Sequence, residues 1–384
     1  MLEQLLTDFK TNLPQFLYSG CIVNATVLEL ATIEKMGYEE FSYQCRISMP
    51  KKFYRYFPNK DSTSKDGITQ NYSIQALKDN TVYLQSPNNF DDAYDSEIFV
   101  DYEKYERLRL MDYCRRCRIN VEDASNTNDI GNLFLKEIVK SLKEHKSYEQ
   151  IFTKTPDTEF EKLENELFCK TLFLEMQKTD DLGKAVSSIL YNEYLDFMDE
   201  MKNKFRISCF STTPFSQLMW GGSYADCHKG FCLEYSVLSD DKQYQDIYYN
   251  LFPMIYCKTR ADITEKVLES HGRNISLDDL WNIYFHGVLR KSMDWAFQNE
   301  WRLLLPLGKK AENYNINFFP ITKVFLGNRM ALNQRRQIIN ICNERNIPYV
   351  CVTKNPYLFE MQECNRKCGE CFINSKNITS EGVL

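Results

Sequence analysis

Two short stretches, Phe205-Arg-Ile-Ser-Cys-Phe210 and Gly230-Phe-Cys-Leu-Glu-Tyr235, decide the fold class of this sequence. Each is typical of a β-strand, and the first begins where a long helical block ends. The sequence predicts five further strands, at residues 52–57, 81–84, 300–306, 321–326 and 349–353. Because strands bracket a helical block without a regular βαβ rhythm, the predicted class is α+β, with a mixed or antiparallel strand core.

The chain divides into four segments by the character of its residues. Between positions 101 and 204, charged residues alternate with apolar ones at helical spacing, and Gly and Pro nearly vanish. This block is therefore a predicted helical insertion, and another helix is predicted at about 277–293. The predicted domains are an N-terminal helical extension (1–48), an α+β core (49–100 and 205–360), the helical insertion (101–204) and a cysteine-containing tail (361–384).

The N-terminal extension is predicted to hold two short helices. The first has apolar residues at i, i+3, i+4 and i+7 from Leu2, and the second is capped by Asn24 and runs through Leu28 to Met36. No basic region precedes the first apolar residues, and the chain has 14 cysteines without a secretion signal. We therefore expect a reducing compartment, the cytoplasm.

Composition and charge narrow the classes of protein to which the chain can belong. Hydrophobic residues make up 43% and charged residues 26%, which is the composition of a folded domain. No window approaches the roughly 18 consecutive apolar residues of a membrane span, so we expect no membrane partner. The net charge of −6 gives no overall field for nucleic acid, although a local basic groove is compatible with it.

Four dispersed motifs have the residue types of a site that folding assembles. They are Tyr54-Arg55-Tyr56, then Ser86-Pro-Asn-Asn-Phe-Asp-Asp92, then Cys209-Phe-Ser-Thr-Thr-Pro214 leading to Trp220-Gly-Gly-Ser-Tyr-Ala-Asp-Cys-His-Lys-Gly230, and finally Gln298-Asn-Glu300-Trp301-Arg302. Together they resemble a bacterial family described only as a domain of unknown function, over residues 50–100 and 205–330. Its members combine an aromatic-Arg-aromatic strand, a Ser-Pro-x-x-Phe-Asn-Asp-like loop, Phe-Ser, Met-Trp-x-x-Tyr-Ala-Asp-x-His-x-Gly and Glu-Trp-Arg.

This chain departs from the family pattern at two places. Phe90-Asp91-Asp92 replaces the usual Phe-Asn-Asp, which leaves the role of that loop open. One extra residue also separates Trp220 from Tyr224, which leaves the placement of Trp220 open.

The order of three motifs also resembles the Arg–Ser–Glu arrangement of ADP-ribosyltransferases. An Arg lies on an early strand, Ser-Thr-Thr follows a middle strand, and Gln-x-Glu precedes a late strand. This resemblance implies an NAD-using ADP-ribosyltransferase or NAD glycohydrolase, such as a bacterial toxin or phage-defence effector, whose acceptor is a protein or a nucleic acid. In that chemistry Glu300 would stabilise an oxocarbenium-like ribose, and Gln298 would position the acceptor nucleophile.

The same resemblance implies a set of NAD-binding residues. Arg55 would bind the pyrophosphate through its guanidinium, since such pairs are often bidentate. Ser211 and Thr212 would orient the nicotinamide side, and an aromatic ring would stack on it. The remaining predicted NAD-binding residues are Tyr54, Tyr56, Asn89, Phe90, Asp92, Trp220, Tyr224 and His228.

Each motif also has a purely structural interpretation. Arg55 between two aromatic residues is typical of an arginine stacked on its neighbours, and the Ser-Thr-Thr run is typical of a turn or helix N-cap. Glu300 beside Arg302 is compatible with a structural ion pair, and His228 with a structural histidine. These alternatives leave open a non-catalytic binding or regulatory protein, in which residues 220–231 shape a pocket or partner surface.

An acidic cluster has the residue types of a divalent-cation site. Asp91, Asp92 and Asp95 lie close together in the sequence, and carboxylate oxygens are the ligands that hard cations prefer. Such a site implies a metal-dependent nuclease as an alternative function. The competing interpretation is that the run caps a turn.

A cysteine cluster in the tail has the residue types of a zinc site. The spacing Cys364-x3-Cys368-x2-Cys371 places three thiols together, and zinc commonly takes four thiolate or imidazole ligands. Cys342, Cys351 or the Cys114-x2-Cys117 pair would then complete the site. The alternative is a tail whose cysteines bind nothing.

Overall fold

The computed structural model divides the chain into two compact units. A strand-rich unit comprises residues 1–95, 205–259 and 289–384, and a helical unit comprises 96–204 and 260–288. The residues described are 20–23, 26–63, 67, 69–90, 92, 94–124, 126–144, 146–152, 154, 156, 159–203, 205–270, 283–306 and 314–365.

The strand-rich unit is built around one large mixed sheet. Its described strands, in chain order, are β1 (Gly20–Val23), β2 (Thr26–Glu29), β3 (Lys52–Phe57), β4 (Ser62–Thr63), β5 (Thr69–Gln70), β6 (Thr81–Leu84), β7 (Phe205–Ser211), β8 (Phe231–Ser236), β9 (Leu251–Pro253), β10 (Ile255–Cys257), β11 (Arg290–Ser292), β12 (Glu300–Pro306), β13 (Tyr314–Asn317), β14 (Ile321–Leu326), β15 (Tyr349–Lys354) and β16 (Met361–Glu363). Eight of them form one sheet in the order β16-β15-β14-β8-β3-β7-β12-β9. Its neighbours are antiparallel except β14 and β15, which run parallel.

Three smaller sheets accompany the large one. β11-β10-β1-β2 form a four-stranded sheet, and β13-β6 and β4-β5 form two-stranded sheets. The described α-helices of this unit are Leu30–Glu34, Tyr38–Ile47, Tyr72–Asp79, Gln217–Gly221, Gln245–Tyr249 and Leu332–Glu344. The predicted α+β class with a mixed strand core is thus confirmed.

The central strands of the large sheet are buried on both faces. Nearly every residue of β7 and β8 is buried, including the polar Arg206, Ser208 and Glu234, so both faces of these strands are covered. On one face the rings of Phe53 and Trp301 lie 5.4 Å apart, and those of Phe210 and Phe318 lie 4.4 Å apart. The opposite face carries the side chains of Ser211 and, across the strands, of Tyr54 and Glu300.

The helical unit has its own core. Its described helices are Tyr102–Arg116, Thr127–Lys143, Tyr148–Ile151, Glu159–Met176, Leu182–Asn203 and Thr264–Ser270, followed by a π-helical turn at Tyr284–Val288. Tyr113, Phe134 and Phe168 pack together at the centre of this unit. The unit also includes residues 260–288, which the sequence analysis assigned to the core domain.

The prediction for residues 24–36 is wrong in its first half. Thr26–Glu29 is a strand, in which Val27 pairs with Ile22 of β1, and the helix begins only at Leu30. β1 in turn pairs with β10, so a partner distant in the sequence overrides the local helical pattern. The predicted amphipathic helix that begins at Leu2 lies outside the described residues.

The helix predicted at about 277–293 is also wrong at its end. Arg290–Ser292 forms β11, which pairs in parallel with β10. The stretch 271–282 lies outside the described residues. None of the described helices is long and apolar enough to cross a membrane.

Candidate functional site

One cavity of the strand-rich unit gathers most of the predicted site residues. Its volume is about 270 Å³. It is lined by Tyr54, Arg55, Tyr56, Gln85, Asn89, Phe90, Asp92, Asp95, Ile207, Ser208, Cys209, Phe210, Ser211, Met219, Tyr224, Lys291, Trp295, Gln298 and Glu300. Arg55, Ser211 and Glu300, which are distant in the sequence, therefore lie on the wall of one cavity.

The cavity exists because the sheet opens between β3 and β7. Along the described residues of these strands, Tyr54 and Ser211 are the one pair in register. β3 otherwise pairs with β8, while Ile207 of β7 pairs with Gln85. On the other side of β7, Ser211 is opposite Glu300 of β12. One row across three strands thus brings Tyr54, Ser211 and Glu300 together.

A buried ionic network forms the polar centre of the cavity. Lys291 Nζ lies 3.0 Å from Glu300 Oε2 and 2.9 Å from Asp95 Oδ2. Arg302 Nε lies 2.6 Å from Glu300 Oε1, and an Arg302 terminal nitrogen lies 2.6 Å from Asp95 Oδ1. Two cations and two carboxylates thus compensate one another, which is the condition under which buried charges are tolerated.

The network fixes the protonation state of Glu300. Burial alone would raise the pKa of this carboxyl, but Arg302 and Lys291 outweigh it and lower the pKa to about 2. Burial lowers the pKa of Lys291, but the charges of Glu300 and Asp95 outweigh burial and raise the pKa overall. Burial and the charge of Glu300 raise the pKa of the neighbouring Cys209 thiol. At neutral pH the site therefore holds a carboxylate, an ammonium and a neutral thiol.

Gln298 and Ser211 connect the late strand to the middle strand. The Gln298 side chain accepts a hydrogen bond from Lys291 Nζ at 2.9 Å and donates one to the Tyr224 hydroxyl. The Ser211 hydroxyl donates to the backbone carbonyl of Gln298 at 2.8 Å. The backbone of Gln298 is thus tied to β7, and its side chain to β11 and to the turn that holds Tyr224.

Arg55 lies on the opposite face of β3 from Tyr54, because successive strand residues point to opposite faces. Arg55 is nevertheless one of the residues that line the cavity. Its guanidinium lies over the rings of Phe57 and Phe210 and donates a hydrogen bond to the Ser208 hydroxyl. Among the described residues no carboxylate forms an ion pair with it, and burial lowers its pKa.

Three predicted ligand-binding residues, Thr212, Trp220 and His228, do not line this cavity. Trp220 is fully buried, and its indole Nε1 donates to Pro214 O at 2.7 Å, so it supports the wall from behind. The backbone amide of Thr212 donates to Asn299 O at 3.1 Å. His228 lines a separate cavity.

The motif from Trp220 to Gly230 is a compact turn with an obligatory glycine. The amide of His228 donates to Trp220 O, and that of Gly230 donates to Ala225 O, both at 2.8 Å. A Cβ at Gly230 would lie 2.0 Å from Phe57 O. The motif therefore packs directly on the end of β3, which leaves no room for a side chain at this position.

Sequence reasoning missed Lys291 as a site residue. Its position was assigned to a helix, whereas in the structure it lies on β11 beside Trp295, with its ammonium 5.2 Å from the indole ring centre. Asp95 was considered only as a metal ligand, but it binds Lys291 and Arg302 instead. The sequence did offer one signal, the Glu300-x-Arg302 pair in an otherwise apolar strand. Charged residues in a buried strand need further charged partners, and Lys291 and Asp95 are these partners.

The predicted metal residues give no assembled site among the described residues. No group of three or more His, Cys, Asp or Glu side chains within the described ranges is arranged to hold a metal ion. Cys364 is partly buried, whereas Cys368, Cys371 and Asp91 lie outside the described residues.

One family model matches part of the chain. Residues 219–303 match the model of a family described as a protein of unknown function, DUF2971. This range holds the Trp220 to Gly230 motif, Lys291, Gln298 and Glu300. No curated protein and no solved structure matches the chain. The resemblance to a family of unknown function is thus supported for this range. The comparisons do not support the resemblance to ADP-ribosyltransferases, which stays a prediction from the motif order.

Proposed function

We propose that this protein binds NAD and cleaves its nicotinamide–ribose bond, as an ADP-ribosyltransferase or NAD glycohydrolase. The observation that carries the proposal is the convergence of Arg55, Ser211 and Glu300 on one cavity. Cleavage of this bond passes through an oxocarbenium-like state, as at a glycosidic bond. It therefore requires a fixed negative charge beside the ribose and a cation beside the pyrophosphate.

Glu300 meets the first requirement. Its carboxylate is ionised well below neutral pH and is oriented by Arg302 and Lys291, so it need not reorganise during the reaction. Preorganised charge of this kind is usually the largest contribution to rate enhancement. Gln298, whose side chain also contacts Lys291, lies two residues away and would position the attacking nucleophile.

Arg55 meets the second requirement. A partly buried guanidinium without an ion-pair partner among the described residues gains a counter-charge when a phosphate binds. The cavity volume of about 270 Å³ lies just below the roughly 300–1,000 Å³ of ligand pockets, so the cavity would hold only part of NAD. We therefore assign the cavity to the nicotinamide–ribose end, with Tyr54, Tyr56 and Phe90 as stacking rings.

The metal-dependent nuclease alternative has less support. Asp95, one of its three proposed ligands, already binds Lys291 and Arg302. A cation at Asp95 would have to displace one of two buried positive charges, which is unfavourable. No other described contact favours this function.

Release of nicotinamide from NAD tests the proposal directly. We expect the purified full chain to release nicotinamide, either with water or with a protein or nucleic-acid acceptor, without added divalent metal. Release that depends on added metal, or NAD that neither binds nor reacts with any acceptor class, would leave a binding or regulatory role as the better interpretation.

A further inference from the structure

A second cavity of the strand-rich unit takes no part in the proposed NAD chemistry. Its volume is about 350 Å³, and it lies between His228 and the loop 355–360 that joins β15 to β16. Gln217 and Lys354 contribute polar groups to its wall. We call this cavity and the loop beside it the hairpin surface.

The loop holds two aromatic rings out in solvent. Tyr357 is 92% exposed and Phe359 is 97% exposed, the highest values among the exposed large apolar side chains of the described residues. The turn that presents them is ordered by hydrogen bonds, because Asn355 Oδ1 accepts from the amides of Tyr357 and Leu358 at 2.9 and 3.1 Å. Exposed rings on an ordered turn are typical of a binding surface rather than of a core.

Three exposed cations lie on or beside the same cavity, because Lys354 lines it while Lys229 and Arg329 neighbour its residue His228. Lys229, Arg329 and Lys354 are exposed, and within the described part of the chain none of them forms an ion pair. The Arg329 amide donates to His228 O at 3.0 Å, and Lys354 lines the cavity together with His228. Burial, and then the charges of Arg329 and Lys354, lower the pKa of the His228 imidazole. Glu360 is the carboxylate that lines the cavity, and it accepts a hydrogen bond from Asn355 at 3.4 Å.

His228 lines the cavity with a ring whose Nδ1 is buried and has no hydrogen-bond partner among the described residues. The ring is parallel to that of Trp220, at a centroid distance of 6.4 Å. Because this nitrogen is not accessible, the exposed cations and the two exposed aromatic rings are the groups that a ligand would contact.

We propose that the hairpin surface binds single-stranded nucleic acid. Unstacked bases would stack on Tyr357 and Phe359, while phosphates would lie against Lys229, Arg329 and Lys354. A single strand supplies both flat rings and regularly spaced anions, which matches aromatic residues interleaved with cations. A duplex keeps its bases stacked inside, and an acidic peptide lacks the rings. Binding does not require NAD cleavage, so the two proposals fail or succeed separately.

The proposal predicts a distinct salt dependence. The net charge of the chain is −6, so attraction must come from the local cations. With three phosphate contacts on a single strand, the logarithm of the binding constant should fall with the logarithm of the salt concentration, with a slope of about −2. Each stacked base contributes enough that removing both rings should weaken binding by about 10-fold or more.

Fluorescence anisotropy with a labelled 15-nucleotide single strand tests the proposal without NAD. The full chain is compared with the double variant Tyr357→Ala/Phe359→Ala, with Lys354→Ala, and with the matched controls Tyr72→Ala and Lys78→Ala, which change exposed residues elsewhere in the strand-rich unit. The rings are almost fully exposed, so the double variant should keep the melting temperature of the parent protein. RNA and DNA strands are both used.

We expect the control variants to bind the single strand as the parent does. The ring variant should have a Kd raised about 10-fold or more, and Lys354→Ala a smaller rise. The parent should bind the matching duplex more weakly than the single strand. Three results would overturn the proposal: no binding to the parent at 50 mM salt, equal binding of the ring variant, or equally tight binding of an acidic peptide that responds to the same variants.

Discussion

Glu300 keeps its charge inside the strand-rich unit because two cations face it. The carboxyl is only 5% exposed, and its two oxygens are bound separately by Arg302 and Lys291. The ion pairs with Arg302 and Lys291 keep Glu300 ionised, as catalysis would require, and they also fix it in the core. Substitution of Glu300 must therefore affect both stability and rate, and the two effects have to be measured apart.

The stability contribution of Glu300 should depend on pH. Its pKa lies at about 2 in the folded protein against an ordinary value of 4.5. Because the folded pKa is lowered, the contribution is fully present above about pH 5 and is lost as the pH falls towards 2. Denaturant unfolding of the parent and Glu300→Gln should show a difference on the order of 3 kcal/mol at pH 7 that shrinks in acid. A difference that stays constant from pH 7 to pH 3 would contradict the pairing.

Substitution of Arg55 should affect NAD binding much more than stability. Arg55→Met removes a partly buried cation that has no ion-pair partner among the described residues, so the free energy of unfolding should change by less than about 1 kcal/mol. The affinity for NAD should fall by roughly 10- to 100-fold, because a charge-assisted contact to phosphate is lost. Calorimetric binding and thermal unfolding measure the two effects, with the exposed Arg336→Met as control. A marked loss of stability at unchanged NAD affinity would assign Arg55 to the structure alone.

At the scale of elements, the turn between Trp220 and Gly230 fixes the position of the site wall. Trp220 packs edge-on against Tyr56, with ring centres 5.4 Å apart, and Tyr56 lines the cavity. Gly230 brings the turn onto Phe57 O at a distance that excludes a side chain. The Trp220 to Gly230 motif is therefore explained by packing.

Gly230→Ala should disrupt this packing. Its Cβ would lie 2.0 Å from Phe57 O, and backbone cannot move aside as a flexible side chain does. We expect a loss of about 3 kcal/mol or more in the free energy of unfolding. Gly37→Ala is the matched control, because a Cβ there meets nothing within 4 Å. Equal melting temperatures for the two variants would show that the turn is not packed as described.

The long strands could be predicted from the sequence, whereas the short edge strands could not. β3, β7, β8, β12 and β14 are apolar or aromatic runs whose pattern is local. β2 and β11 are stretches of three or four residues that are strands only because β1 and β10 pair with them. Lys291 was missed for the same reason, since its carboxylate partners come from elements that meet only after folding.

At the scale of the whole molecule, each unit has its own buried core and its own ionic network. In the helical unit, Arg109 is buried and contacts Glu164 at 3.0 Å and Glu193 at 3.2 Å. In the strand-rich unit, Asp95, Lys291, Glu300 and Arg302 play the corresponding part. Stability and catalysis should therefore be separable by unit.

Arg109→Ala should destabilise the helical unit by about 3 kcal/mol, because Glu193 loses its Arg109 contact and Glu164 keeps only Arg116. Differential scanning calorimetry should show the transition of this unit shifted to lower temperature. Nicotinamide release per folded molecule should stay at the parent value. A shift of a single cooperative transition together with lost turnover would contradict the division of roles.

The most direct test of the central claim is nicotinamide release by Glu300→Gln, expressed per folded molecule. Gln keeps the shape and removes the charge, so the account predicts a rate lower by on the order of 100-fold or more, about 3 kcal/mol in activation free energy. The exposed Glu344→Gln should match the parent protein. Unchanged turnover per folded molecule in Glu300→Gln, or no release by the parent with water, protein or nucleic acid as acceptor, would contradict it.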